Sequence, residues 1–127
     1  MPTDSLVEDM PPSDGIAPIW RLLSIVSVIL FVLLLFILGS QPIAVGLFPA
    51  PWDKLAHLIV FSIIAGLLWI SSDGLWPLSV IVLVVAIGAM DEWHQAGLPG
   101  RSADFADLMI DAIAAITVVC LLHKGRK

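Results

Sequence analysis

LLSIVSVILFVLLLFIL, residues 22–38, runs for 17 residues without a charge. Crossing a hydrocarbon core of about 30 Å takes roughly 20 predominantly apolar residues as a helix, so this run and its immediate flanks are long enough to span. The rest of the chain agrees with that reading. Of 127 residues, 59% are hydrophobic and 13% charged, with a mean hydropathy of +1.02, whereas a soluble domain carries about 25% charged residues. Three more apolar segments follow at 55–72, 75–90 and 105–122. Backbone groups in hydrocarbon must be satisfied within the segment, which makes each of them a helix. The expected fold is all-α: an integral membrane bundle of four transmembrane helices at about 20–39, 53–71, 75–95 and 104–122. It forms one domain, 20–122, between a flexible acidic tail, 1–19, and a short basic tail, 123–127.

The net charge of −5 is mostly a property of the first tail, since Asp4, Glu8, Asp9 and Asp14 supply four of the negative charges. That tail, rich in Pro and acid, has little to bury and lacks the basic start of a secretory signal. The lone cysteine, Cys120, excludes an internal disulfide and a thiolate metal site; within an apolar run it reads as a packed thiol. "SSDG" at 71–74 reads as a tight hairpin between the second and third helices, with Pro77 in the first turn of the third. The stretch 39–52, apolar yet holding three prolines and two glycines, reads as an irregular segment on the membrane interface.

Four crossings place both termini on one side. Arg21, Lys124, Arg126 and Lys127 flank that side against Lys54 and Arg101 on the other, so the positive-inside rule expects cytoplasmic termini. Trp20, Trp69 and Trp76 at the first level, and Trp52 and Trp93 at the second, are expected to form two interfacial belts. A multi-pass membrane protein follows, with Asp53, Lys54 and the charged residues of 91–111 on the extracytoplasmic side.

That charge is arranged on helix faces. Asp53 and His57 are four residues apart on the second helix, as are Asp91 and Gln95 on the third, and such pairs share a face. Gly88, one turn deeper, leaves room for another helix to approach. Asp104, Asp107 and Asp111 form one acidic stripe on the fourth helix, continued by Ala114, Ala115 and Val118. Asp111 lies seven residues beyond Asp104, about 10 Å deeper at 1.5 Å per residue, and a carboxylate at that depth must face protein or water. It is either protonated or held by Arg101, Lys54 or His57. Plainer roles stand beside these: Asp53 as a helix cap, Glu92 and His94 as solvated residues at a loop edge, and His57 as a hydrogen-bonded packing residue. Arg101, in the turn "GLPGR", is placed to lean over the stripe.

"DKLAH", "DEWHQ", "PGR" and "DFADLMID", in this order over residues 52–115, resemble the signature of the VanZ-like family of small bacterial membrane proteins. The family pattern is Asp-Lys-x-x-His, Asp-Glu-x-x-Gln, a Gly-Arg turn, and an Asp followed four residues later by Asn and then by Gly. Asp53, Lys54, His57, Asp91, Glu92, Gln95, Arg101 and Asp107 match it. Asp111 stands where the pattern has Asn, and Ala114 where it has Gly. The resemblance implies a connection with the cell envelope, because the name-giving relatives lower susceptibility to glycopeptide antibiotics of the teicoplanin type. It also implies that the membrane is the bacterial cytoplasmic one.

Three classes of function remain open. The first is a polar site at the extracytoplasmic interface that binds a lipid head group or a cell-envelope precursor, with Arg101 and Lys54 taking anionic oxygens. The second is a membrane-embedded enzyme acting on such a lipid, in which His57, Asp91, Glu92 and Asp107 hold a divalent metal or act as acid and base. An enzyme is not the first expectation, since the chain has no HExxH, no Gly-rich phosphate loop and no serine elbow. The third is an accessory subunit of a larger membrane complex, with His57 ligating the magnesium of a pigment. No resident cofactor is expected beyond that metal or pigment, and the lipid bilayer, not nucleic acid, is the expected partner.

Overall fold

A computed structural model describes residues 15–127; most of the expected acidic tail lies outside the described residues. The four helices are α1 (Pro18–Gly39), α2 (Trp52–Ser71), α3 (Pro77–Ala96) and α4 (Phe105–Gly125). Each is long and apolar enough to cross a membrane, and the protein is an integral membrane bundle of four helices. Pro18 and Pro77 open α1 and α3 at positions where a missing N–H costs nothing. The hairpin between α2 and α3 turns through Asp73 (φ 54°) and Gly74 (φ 63°), both left-handed, and the Gly74 N–H returns to the Trp69 carbonyl at 2.9 Å. Between α1 and α2 the chain makes only a short 3₁₀ turn, Pro42–Ala44, and exposes Ile43, Leu47 and Phe48.

The closest packing is of α4 against α2 and α3, while α1 lies along α2 and touches α3 less. The core follows from helical spacing: Phe61, Ile64, Ala65 and Trp69 on α2, Val80 and Val84 on α3, and Ala114, Ala115 and Val119 on α4. Two small residues in sequence on α4 let the backbones approach closely. On α1 only Ser24 and Val28 are buried; Phe31, Val32 and Leu35 pack partly against the core, while Leu22, Ile25, Ile29, Leu33 and Ile37 are exposed, where a bilayer is the favourable solvent.

Two expectations are corrected. Trp69 is not in an interfacial belt: at 5% exposure it belongs to the core, with its indole edge-on to His123 at 6.0 Å, whereas Trp20, Trp76, Trp52 and Trp93 are exposed. Cys120 is not a packed thiol but points outward. It is one position past Val119, off the face that carries Asp111, Ala115 and Val119 inward.

Candidate functional site

All ten polar residues singled out from the sequence lie at one end of the bundle, where α2 begins, α3 ends and α4 begins. Lys54, in the first turn of α2, donates to Asp107 Oδ1 at 2.6 Å, to Asp104 Oδ2 at 2.7 Å and to Asp53 Oδ2 at 3.3 Å. One ammonium has three N–H donors, so three carboxylates saturate it. Asp104 is also the N-cap of α4, its Oδ1 accepting the Ala106 N–H at 2.8 Å. Lys54, and then that cap bond, hold the Asp104 carboxyl below the usual carboxylate range. The capping role considered for Asp53 is not filled: its side chain caps nothing, and Pro51 is the residue at the cap position of α2.

One turn further into α2, His57 Nδ1 lies 3.0 Å from Asp111 Oδ1, and its ring stacks on Phe61 at 5.7 Å. Asp111 is fully buried against Gly88 of α3, where an added Cβ would lie 2.5 Å from Oδ2. The glycine makes the space that the acid occupies. His57 Nε2 is 3.7 Å from Asp107 Oδ2.

On α3 a second chain of bonds runs sideways. Gln95 Nε2 donates to Asp91 Oδ2 at 2.7 Å, and Gln95 Oε1 accepts from Arg101 at 2.8 Å. Arg101 also donates to the Ala44 carbonyl at 3.2 Å. Arg101 thus leans over α3 and the 3₁₀ turn instead of over the acidic stripe of α4, because Gln95 and Ala44 meet its planar fork first. Glu92 is not a solvated loop-edge residue: it is 7% exposed, with Oε2 accepting the Asp104 N–H at 2.6 Å. His94, half-buried on α3, packs against Phe36 of α1 and lies 3.2 Å from the Ser40 hydroxyl.

Four buried side-chain atoms have no partner among the described residues: Asp53 Oδ1, Glu92 Oε1, His94 Nδ1 and Asp111 Oδ2. All lie at this end. Buried polar atoms in native proteins are nearly always satisfied, so each such atom calls for a proton, a water, an ion or a ligand.

Beside the cluster is a cavity of about 440 Å³. Its lining combines polar side chains, Asp53, His57, Asp91, Gln95 and Arg101, with apolar ones: Phe31, Leu34, Leu35 and Leu38 of α1, Ala56, Val60 and Phe61 of α2, and Leu47 and Phe48 between the two helices. The α1 residues had no role in the sequence reading. Nothing in a run of leucines distinguishes those that face a cavity from those that face lipid.

The residues matching the sequence signature thus converge on one site, and over residues 11–124 the chain matches the VanZ/LLP1 family. It belongs to that family. No curated protein and no solved structure matches the chain. Within this VanZ-family bundle the eight residues of the pattern divide by neighbour: Lys54 and His57 on α2 meet Asp107 on α4, with Asp53 bonded to Lys54, while Asp91, Gln95 and Arg101 join α3 to the 3₁₀ turn. Glu92 ties α3 to the start of α4. Asp111, which departs from the pattern, is held by His57, which conforms to it.

Proposed function

We propose that the protein binds an amphiphile, a lipid or lipid-linked cell-envelope precursor, with its head group on the polar side chains of the cavity and its chain along α1. The carrying observation is the mixed lining of the cavity: α2, α3 and Arg101 bring charged and amide groups alongside Ala56, Val60 and Phe61, whereas α1 brings only apolar residues. Small-molecule sites are mostly apolar with a few placed polar groups, and a cavity lined in this way suits a ligand that is itself part polar and part apolar. Arg101 spends two donors on protein acceptors and keeps others for an anionic oxygen. Lys54, saturated by three carboxylates, is not available for that task, so the head-group anion falls to Arg101. Asp53 Oδ1, buried without a partner, is ready to accept from a hydroxyl or amine of the head group.

The site faces the extracytoplasmic side of the cytoplasmic membrane in this reading, with both termini in the cytoplasm. Arg21, Lys124, Arg126 and Lys127 against Lys54 and Arg101 support the orientation. A periplasmic-only reporter fused at Lys127 should be inactive; activity there would reverse the orientation.

Native mass spectrometry of the protein released from its own membranes tests binding. Wild type should retain one amphiphile preferentially, and Leu35→Trp, which fills the apolar side, and Arg101→Ala, which removes the anion's donor, should each lose it. Equal lipid profiles in all three proteins would refute the reading.

A further inference from the structure

Two groups of side chains at the polar end have donor atoms close enough together to hold a cation. In the first, Asp53, Asp104 and Asp107 offer oxygens within 4.8 Å of one another. That group already has its cation, for Lys54 Nζ donates to all three. In the second, one donor atom from each of His57, Asp91 and Glu92 lies within 4.8 Å of the other two. No lysine or arginine bonds to any of these three side chains among the described residues.

We infer that His57, Asp91 and Glu92 form a divalent cation site. Each side chain has one polar atom committed to the protein: Asp111 takes His57 Nδ1, Gln95 takes Asp91 Oδ2, and the Asp104 N–H takes Glu92 Oε2. The bonded atoms orient the side chains; the atoms left over are His57 Nε2, which has Asp107 Oδ2 3.7 Å away, Asp91 Oδ1 and the unpartnered Glu92 Oε1. Glu92 is more than nine-tenths buried, yet its Oε1 has no partner, and such an atom is costly unless something binds it. With Asp111 ionised, the hydrogen of His57 lies on Nδ1 and Nε2 presents its lone pair. A carboxylate behind a metal-binding histidine is the usual device for fixing that tautomer. This gives Asp111, buried against Gly88, a reason to be an acid.

Charge balance points the same way. Asp53, Asp91, Glu92, Asp104, Asp107 and Asp111 share this end with two permanent cations, Lys54 and Arg101. A divalent ion offsets much of the excess. One imidazole with two carboxylates suits Mn²⁺ or Zn²⁺ better than Ca²⁺ or Mg²⁺, which prefer oxygen alone. Three protein ligands leave coordination positions for water or a ligand oxygen, and His57 and Asp91 also line the cavity. The ion is therefore placed to take an anionic head-group oxygen together with Arg101; that second step rests on the proposed amphiphile binding, whereas the cation site does not.

The test uses the full chain in nanodiscs, stripped with EDTA and titrated with Mn²⁺ alone, free ion being followed by its electron paramagnetic resonance signal and Zn²⁺ by competition. Wild type and Asp73→Asn, altered at the other end of the bundle, should bind one ion per chain. Asp111→Asn keeps an acceptor for His57 but loses the charge, and should bind about 10–100-fold more weakly. Glu92→Gln and His57→Gln should lose roughly tenfold or more. Because these variants can fail to assemble, the wild-type complex supplies an independent readout: nitrogen hyperfine coupling from one imidazole to the bound Mn²⁺. Absence of binding at millimolar ion, absence of that coupling, or equal affinity in monodisperse variants would each overturn the inference. Amphiphile retention in EDTA separates the two proposals: retention without any ion binding defeats only the cation site, and ion binding without a retained amphiphile defeats only the amphiphile reading.

Discussion

At one end of the bundle Asp73 takes the Ile16 N–H and the Arg126 guanidinium, and Arg21 reaches the Ser71 carbonyl. At the other, Asp53, Asp91, Glu92, Asp104, Asp107 and Asp111 share Lys54, Arg101 and His57. Both ends are built from the termini of the same helices, and both carry charge. The difference is completion. No buried side-chain atom at the Asp73 end lacks a partner among the described residues, whereas the polar end leaves Asp53 Oδ1, Glu92 Oε1, His94 Nδ1 and Asp111 Oδ2 without one. The first end closes a hairpin and anchors a terminus; the second retains polar capacity, which is what a binding site needs and a purely structural joint does not.

The largest effect is expected from removing a cation at each end. Lys54→Met leaves Asp107, nearly buried, beside Asp53 and Asp104 with no ammonium between them, and should destabilise the bundle by on the order of 3 kcal/mol. Arg126→Met removes a longer and more exposed pair, 3.4 Å with 38% of the arginine side chain exposed, and should cost less than about 1 kcal/mol. Unfolding by sodium dodecyl sulfate titration in mixed micelles reads both. Equal losses would erase the contrast between the ends.

A smaller effect separates two glycines. Gly88→Ala drives a methyl group into Asp111 Oδ2 and should destabilise by about 1–3 kcal/mol through overpacking. Gly66→Ala, in α2 with nothing within 4 Å of the added atom, should stabilise by roughly 0.5–1 kcal/mol, the usual gain of alanine over glycine inside a helix. The same unfolding titration checks the opposite signs.

The smallest effect concerns Asp104. Its folded-state pKa lies below the ordinary carboxylate value, so its contribution to stability is fully present above about pH 4 and lost as pH falls through the folded value. Melting temperatures of wild type and Asp104→Asn should differ at neutral pH and converge in acid. A constant gap across that range would mean that the carboxylate charge plays no part.

The helices were legible in the sequence because hydrocarbon allows a long apolar segment little else. The Asp73–Gly74 hairpin was legible because its partners are local. The polar faces were legible too: spacings of three and four set Asp107 with Asp111 and Asp53 with His57 whatever the helices meet. What each charge bonds to was not legible. Lys54 to Asp107, His57 to Asp111 and Arg101 to Ala44 each cross more than fifty residues of chain, and their register depends on how α4 rotates against α2 and α3. Asp53 caps nothing because α2 begins at Trp52, one residue before it, with Pro51 at the cap position. Trp69 and Cys120 were misplaced because membrane level, which the sequence gives, does not say which way a side chain points around the helix.

The proposed amphiphile site rests on the cavity between α1 and the polar cluster. A photo-crosslinking amino acid at position 35 would report what occupies it in native membranes; the same residue at position 33, on the outward face of α1, would report the surrounding lipid. The account predicts that adducts at position 35 are enriched in one amphiphile relative to those at position 33, and that Arg101→Ala removes the enrichment. Identical adduct profiles at the two positions, with the bundle intact, would contradict it.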